Sequence, residues 1–207
     1  MKGPISIKGL ALTFMTDKPP VAIPYEKEDI KMHMTIMVIV HAKDEEEALK
    51  KGENALDQIT KEGNLFDSYS TLEGEEIDDV WGSNGTNLPG VLLASSPEGQ
   101  HFIEVGWRLT VKAFMDALER VKLAIEYLTP VQIMEESLPP HLPMPVIEKI
   151  YPHIRYNFYK VGDQVGDHTK NYLFFENEPI TSERNLEFAR NPQAGLKAYL
   201  IPADIHY

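Results

Sequence analysis

The stretch His101–Thr129, "HFIEVGWRLTVKAFMDALERVKLAIEYLT", decides how the chain folds, because it carries two hydrophobic periods end to end. In its first nine residues Ile103, Val105, Trp107 and Leu109 alternate with Glu104, Gly106 and Arg108. That period of two puts one face of a strand in a core and the other in water. From Thr110 onward the spacing changes. Phe114, Leu118, Val121, Ile125 and Leu128 recur at helical intervals, and the stripe ends at Thr129 before Pro130. The stretch therefore predicts a strand with one wet face running into a long helix.

Upstream lies a second unit of the same kind. "MTIMVIVHAK", Met34–Lys43, is a near-continuous apolar run of strand length, the pattern of a central strand covered on both faces. Asp44 then caps a helix with Glu47 three residues on, and Ala48, Leu49, Ala55, Leu56 and Ile59 supply its apolar face before Gly63 and Asn64 stop it. A strand follows at Leu65–Leu72. "PGVLLASS" adds a short one that ends in the turn-forming Ser96-Pro97-Glu98-Gly99. This order predicts an α+β protein with a ferredoxin-like split β-α-β core, its helices on one face of a mainly antiparallel sheet.

Composition changes at "SLPPHLPMP", Ser137–Pro145, where four prolines in nine residues exclude a regular helix or a central strand. Three parts follow: an α+β core over residues 1–136, a proline-rich connector over 137–145, and a C-terminal extension over 146–207 packed on the core. Within the extension the residue pattern predicts a short helix near Pro145–Tyr151 and a hairpin of "RYNFYKV" with "NYLFFE" around the loop "GDQVGDHTK". A helix capped by Thr181 or Ser182 and a final strand "KAYLIPADI" complete it.

Composition removes several kinds of chemistry. A formal charge of −12 opposes binding to a phosphate backbone, so nucleic acid is not an expected partner. The chain has no cysteine, which excludes disulfides, thiolate catalysis and cysteine-ligated metal centres. The amino terminus lacks the uninterrupted apolar core of a signal peptide, and no apolar run reaches bilayer length. A soluble, cytoplasmic protein without membrane partners is the expectation.

No Walker loop, Rossmann fingerprint, nucleophile elbow or His-Glu-x-x-His helix is present. Acid–base candidates are dispersed: His101, and the trio Asp163, Asp167 and His168 in "GDQVGDHT". His101 and Glu104, if on a strand, point to opposite faces and cannot share an ion. His41, at the end of a buried strand, reads as a hydrogen-bonded structural histidine. No metal site and no cofactor are expected.

Glu73–Gly90, "EGEEIDDVWGSNGTNLPG", combines acids with glycines, but the apolar segment after it reads as a strand, so it lacks the helix N-terminus of a phosphate cradle. Its tryptophan, Trp81, either pins the segment to the core or closes on a ligand. Trp81, Trp107 and Arg108 are the candidate ligand or interface residues. The leading expectation is a binding or assembly protein that associates with itself and takes a small ligand or a protein partner. A small-molecule hydrolase or isomerase using the dispersed His and Asp residues is the alternative.

Overall fold

The computed structural model describes residues 33–61, 66, 68–72, 81, 89–151, 153–165 and 171–206. Residues 31–207 form one compact unit. In chain order its described elements are β1 (His33–Ala42), α1 (Glu45–Ile59), β2 (Ser68–Thr71), β3 (Leu92–Leu93), α2 (Pro97–Tyr127), α3 (Pro130–Glu135), α4 (Met144–Ile150), α5 (Ile154–Val165), β4 (Leu173–Phe175), β5 (Glu178–Pro179), α6 (Glu183–Arg190) and β6 (Lys197–His206). The fold is mixed α+β.

The sheet runs β2-β6-β1-β4-β5, with β3 also paired to β6. β1 and β6 are antiparallel over their whole length, from His33 opposite His206 to Ala42 opposite Lys197. β4 lies on the other side of β1 and runs parallel to it, so the sheet is mixed. That parallel neighbour departs from an all-antiparallel ferredoxin-like order. β2 and β3 follow one another along a single edge: Thr71 faces Ala203, and Leu92 faces Leu200. Those two pairings are three β6 residues apart.

β1 is buried on both faces, as its unbroken apolar run predicts, and this corrects the expectation of helices on one face only. Ile36, Val38 and Val40 form one core with Ala48, Ala55 and Leu56 of α1 and Ile201 of β6. Met37 and Ile39 form the other with Phe102, Ile103 and Val105 of α2 and Leu186 and Ala189 of α6. A strand with no polar face needs a covering layer on each side. The architecture is accordingly three-layered around the central strands.

Helix α1 begins as its sequence predicts. The Asp44 carboxylate accepts the Glu47 N–H at 2.9 Å, and Glu47 accepts the Lys43 N–H at 3.1 Å and the Lys51 ammonium at 2.9 Å. The hydrogen bond from Lys51, together with that from the Lys43 backbone, holds the Glu47 carboxyl below its usual pKa.

The decisive stretch folds differently. His101–Leu109 is not a strand; it is the second to fourth turns of α2. Ser96 is the N-cap, its hydroxyl oxygen accepting the Gly99 N–H at 3.0 Å, and Pro97 occupies the first turn, where its missing N–H costs nothing. The residues read as a turn are thus a helix start. Gly99, Phe102, Ile103, Gly106, Thr110, Ala117, Val121 and Ala124 are buried, at helical spacing across the whole element. Gly106, assigned to water by the alternation, is buried where α2 lies close against β4. A Cβ there would lie 2.6 Å from Leu173 Cδ2 and 3.0 Å from the Trp81 ring.

"RYNFYKV" is also helical, as part of α5: Ile154 and Asn157 are buried and Phe158 half-buried, on one side of a helix. The expected hairpin partner of "NYLFFE" is replaced by β5, joined to β4 through Glu176 at a positive φ of 53°. Helices α4 and α5 pack on the C-terminal half of α2 around Ala124, Leu128, Ile150 and Ile154. Helix α6 is capped by Ser182, one of the two predicted caps, its hydroxyl oxygen accepting the Asn185 N–H at 3.2 Å. Among the described residues no helix is long and apolar enough to cross a membrane.

Candidate functional site

A cleft of about 550 Å³ opens between the first turns of α2 and the segment from Arg190 to Ala198. Three elements shape it. Arg190 ends α6, and Asn191 caps that end, its Nδ2 donating to the Glu187 carbonyl at 2.7 Å. The chain then turns through Gly195, whose φ of 86° suits a residue without a Cβ, and the Leu196 N–H donates to the Gln193 carbonyl at 3.0 Å. Lys197 enters β6 opposite Ala42, and Ala94 is tied to the same strand by its N–H to the Ala198 carbonyl at 2.9 Å.

The floor of the cleft is apolar, from Leu93, Ala94, Leu196 and Ala198, and its mouth carries Glu104, Arg190 and Lys197. Among the described residues none of these three is in an ion pair. Lys51, Lys149 and Arg155, by contrast, are paired with Glu47, Glu119 and Glu136. The Lys149 hydrogen bond lowers the Glu119 carboxyl pKa. A smaller depression of about 290 Å³ lies by β5 and α6, lined by Phe175, Phe188 and Arg184.

The residues singled out in the sequence fall in different places. Trp81 is seated in the core, 1% exposed, its ring centroid 6.3 Å from that of Phe102 and 6.0 Å from that of Tyr172. Trp107 is half-buried against the same core, and Arg108 is exposed.

His101 and Glu104 sit three apart on a helix, which brings them to neighbouring positions and corrects the opposite-face reading; both are exposed. Asp163 lies in the last turn of α5, while Asp167 and His168 lie outside the described residues, as does most of the 73–90 segment. Among the described residues no group of three or more His, Asp or Glu is placed to hold a metal. His41 is the structural histidine expected, its Nε2 donating to the Ala189 carbonyl at 2.8 Å.

A family model described as Domain of unknown function (DUF7995) matches residues 32–207, from the start of β1 to the end of β6. The chain belongs to DUF7995. No curated protein and no solved structure matches it. The DUF7995 match spans both cores, the cleft and the helical layer. The cleft of this DUF7995 chain was not legible in its sequence. Glu104 reaches it only because 101–109 is helical, and Arg190 and Lys197 carry no motif of their own.

Proposed function

We propose that the protein is a non-enzymatic binding and assembly protein that associates with a second copy of itself through the outer face of α2. One observation carries this reading: an apolar stripe on the side of α2 turned away from both cores. Val111, Met115, Leu118 and Ile125 follow one another at helical spacing within an arc of about 80°, over roughly 21 Å of helix. Met115 is 53% exposed and Ile125 62%. Val131 and Met134 on α3 are exposed as well. An exposed apolar stripe of this kind, interrupted at Lys122, is an expensive surface for a lone soluble protein and a suitable one for a partner. A two-fold axis across α2 would lay the stripe on its own copy, with Arg108 at the rim.

Sedimentation equilibrium tests the reading. The expected mass is a multiple of 23.5 kDa, and Met115→Glu with Ile125→Glu returns the protein to monomer with its helix content unchanged. A wild-type chain that sediments as a monomer throughout the micromolar range overturns it. We also read β1, α1 and β2, with β6 between the two strands, as the split half of a ferredoxin-like sheet. β1 and β2 both run antiparallel to β6, which supports that reading; β4 and β5 then extend the sheet beyond β1.

A further inference from the structure

We propose that the cleft between α2 and the 190–198 segment binds a small organic monocarboxylate, its head held by Arg190 and Lys197 and its apolar body lying on Leu93, Leu196 and Ala198. A volume of about 550 Å³ is in the range of sites that enclose small molecules. The charge arrangement selects the ligand. In a chain of formal charge −12, this cleft gathers two cations and one carboxylate. Neither cation has an ion-pair partner among the described residues, and one further negative charge brings the balance to zero. A phosphate monoester, nearly a dianion at neutral pH, would overshoot that balance beside Glu104. A polyanion would meet the repulsion of the whole chain.

The arginine fork matches the two oxygens of a carboxylate, and lysine adds a point charge. The backbone under both side chains is held in place, Arg190 by the capped end of α6 and Lys197 by its register in β6. Little ordering of the main chain is then left for binding to bring about. The N-terminus of α2 is not the source of the attraction: Pro97 has no N–H, and that of Gly99 is taken by Ser96. The proposal is independent of self-association, because the cleft is formed within one chain.

The test is a titration of the labelled full-length protein with hexanoate, followed by amide chemical shifts, beside 1-hexanol and hexyl phosphate. Hexanoate is expected to give saturable shifts at residues 94–100 and 190–198. Hexanol, with the same body and no charge, binds about tenfold more weakly or less, and so does the double variant Arg190→Ala, Lys197→Ala. Both altered side chains are exposed, so the variant keeps its wild-type urea midpoint. Shifts that do not saturate, that fall elsewhere, or that hexanol reproduces at equal concentration overturn the proposal. Hexyl phosphate binding as tightly as hexanoate overturns the choice of a monocarboxylate. These comparisons on the wild-type protein decide the matter even if the variant unfolds.

Discussion

Replacing Trp81 by alanine should cost about 4 kcal/mol of stability. The ring is 1% exposed, and a tryptophan buries on the order of 200 Å² or more, worth about 5 kcal/mol at ~25 cal/mol per Å². Alanine keeps a little of that, while the lost edge contacts to Phe102 and Tyr172 and the void left behind add to the loss, giving the 3–5 kcal/mol common for such truncations. Collapse into the void is limited, because Gly106 and Leu173, which meet at the ring, are fixed in α2 and β4. For a chain of this length the melting temperature should fall by about 8–16 °C.

Urea unfolding followed by circular dichroism gives the free energy, and Trp107 remains as an independent fluorescence probe. A loss under about 1 kcal/mol with an unchanged denaturant slope would refute the placement of the ring. A double-mutant cycle sharpens the test. Gly106→Ala alone should cost about 1–3 kcal/mol, since its Cβ meets Leu173 and Trp81. In the Trp81→Ala background one of those neighbours is gone, and the cost should drop by at least about 0.5 kcal/mol.

Two further outcomes are expected. The Asn171 amide is buried with neither its oxygen nor its nitrogen hydrogen-bonded among the described residues, so Asn171→Leu should leave thermal stability unchanged or raise it. A loss above about 1 kcal/mol would mean that the amide has a partner. The Tyr69 hydroxyl donates to Asp57 at 2.9 Å, and burial, with that hydrogen bond, raises its pKa from 10 to about 12. The neutral phenol is the form favoured by folding, so its contribution is complete below pH 10 and is lost as pH rises through about 12. The ultraviolet difference titration between wild type and Tyr69→Phe should show one phenolate forming late; ionisation at the ordinary value would contradict the contact.

Where one period dominates, sequence and structure agree: β1, α1, α4, α6 and β6 lie within a few residues of their predicted spans. The failures have a common physical origin. Residues 102–110 place apolar side chains so that both periods are satisfied, and only the cap at Ser96 with Pro97 separates a helix from a strand. In the rest of α2 apolar residues cover two faces. The predicted stripe through Phe114, Leu118, Val121, Ile125 and Leu128 mixes buried Val121 and Leu128 with exposed Ile125, whereas Ala117, Val121 and Ala124 face the core. In α5 the aromatic content of "RYNFYKV" suggests a strand, and the helical spacing emerges only when Ile154 is counted with Asn157 and Phe158. The cleft was hidden for the same reason, since it depends on α2 beginning at Pro97.

The divided edge along β6 makes one strand the template for two others that are separated in sequence. Ala203 and Leu200, which lie opposite Thr71 and Leu92, are about 10 Å apart along the strand, and Trp81, between those two residues in sequence, is buried in the core. The register of this whole edge is therefore carried by one ten-residue strand, and a one-residue slip of β6 would turn the inward side chains outward against β1, β2 and β3 together.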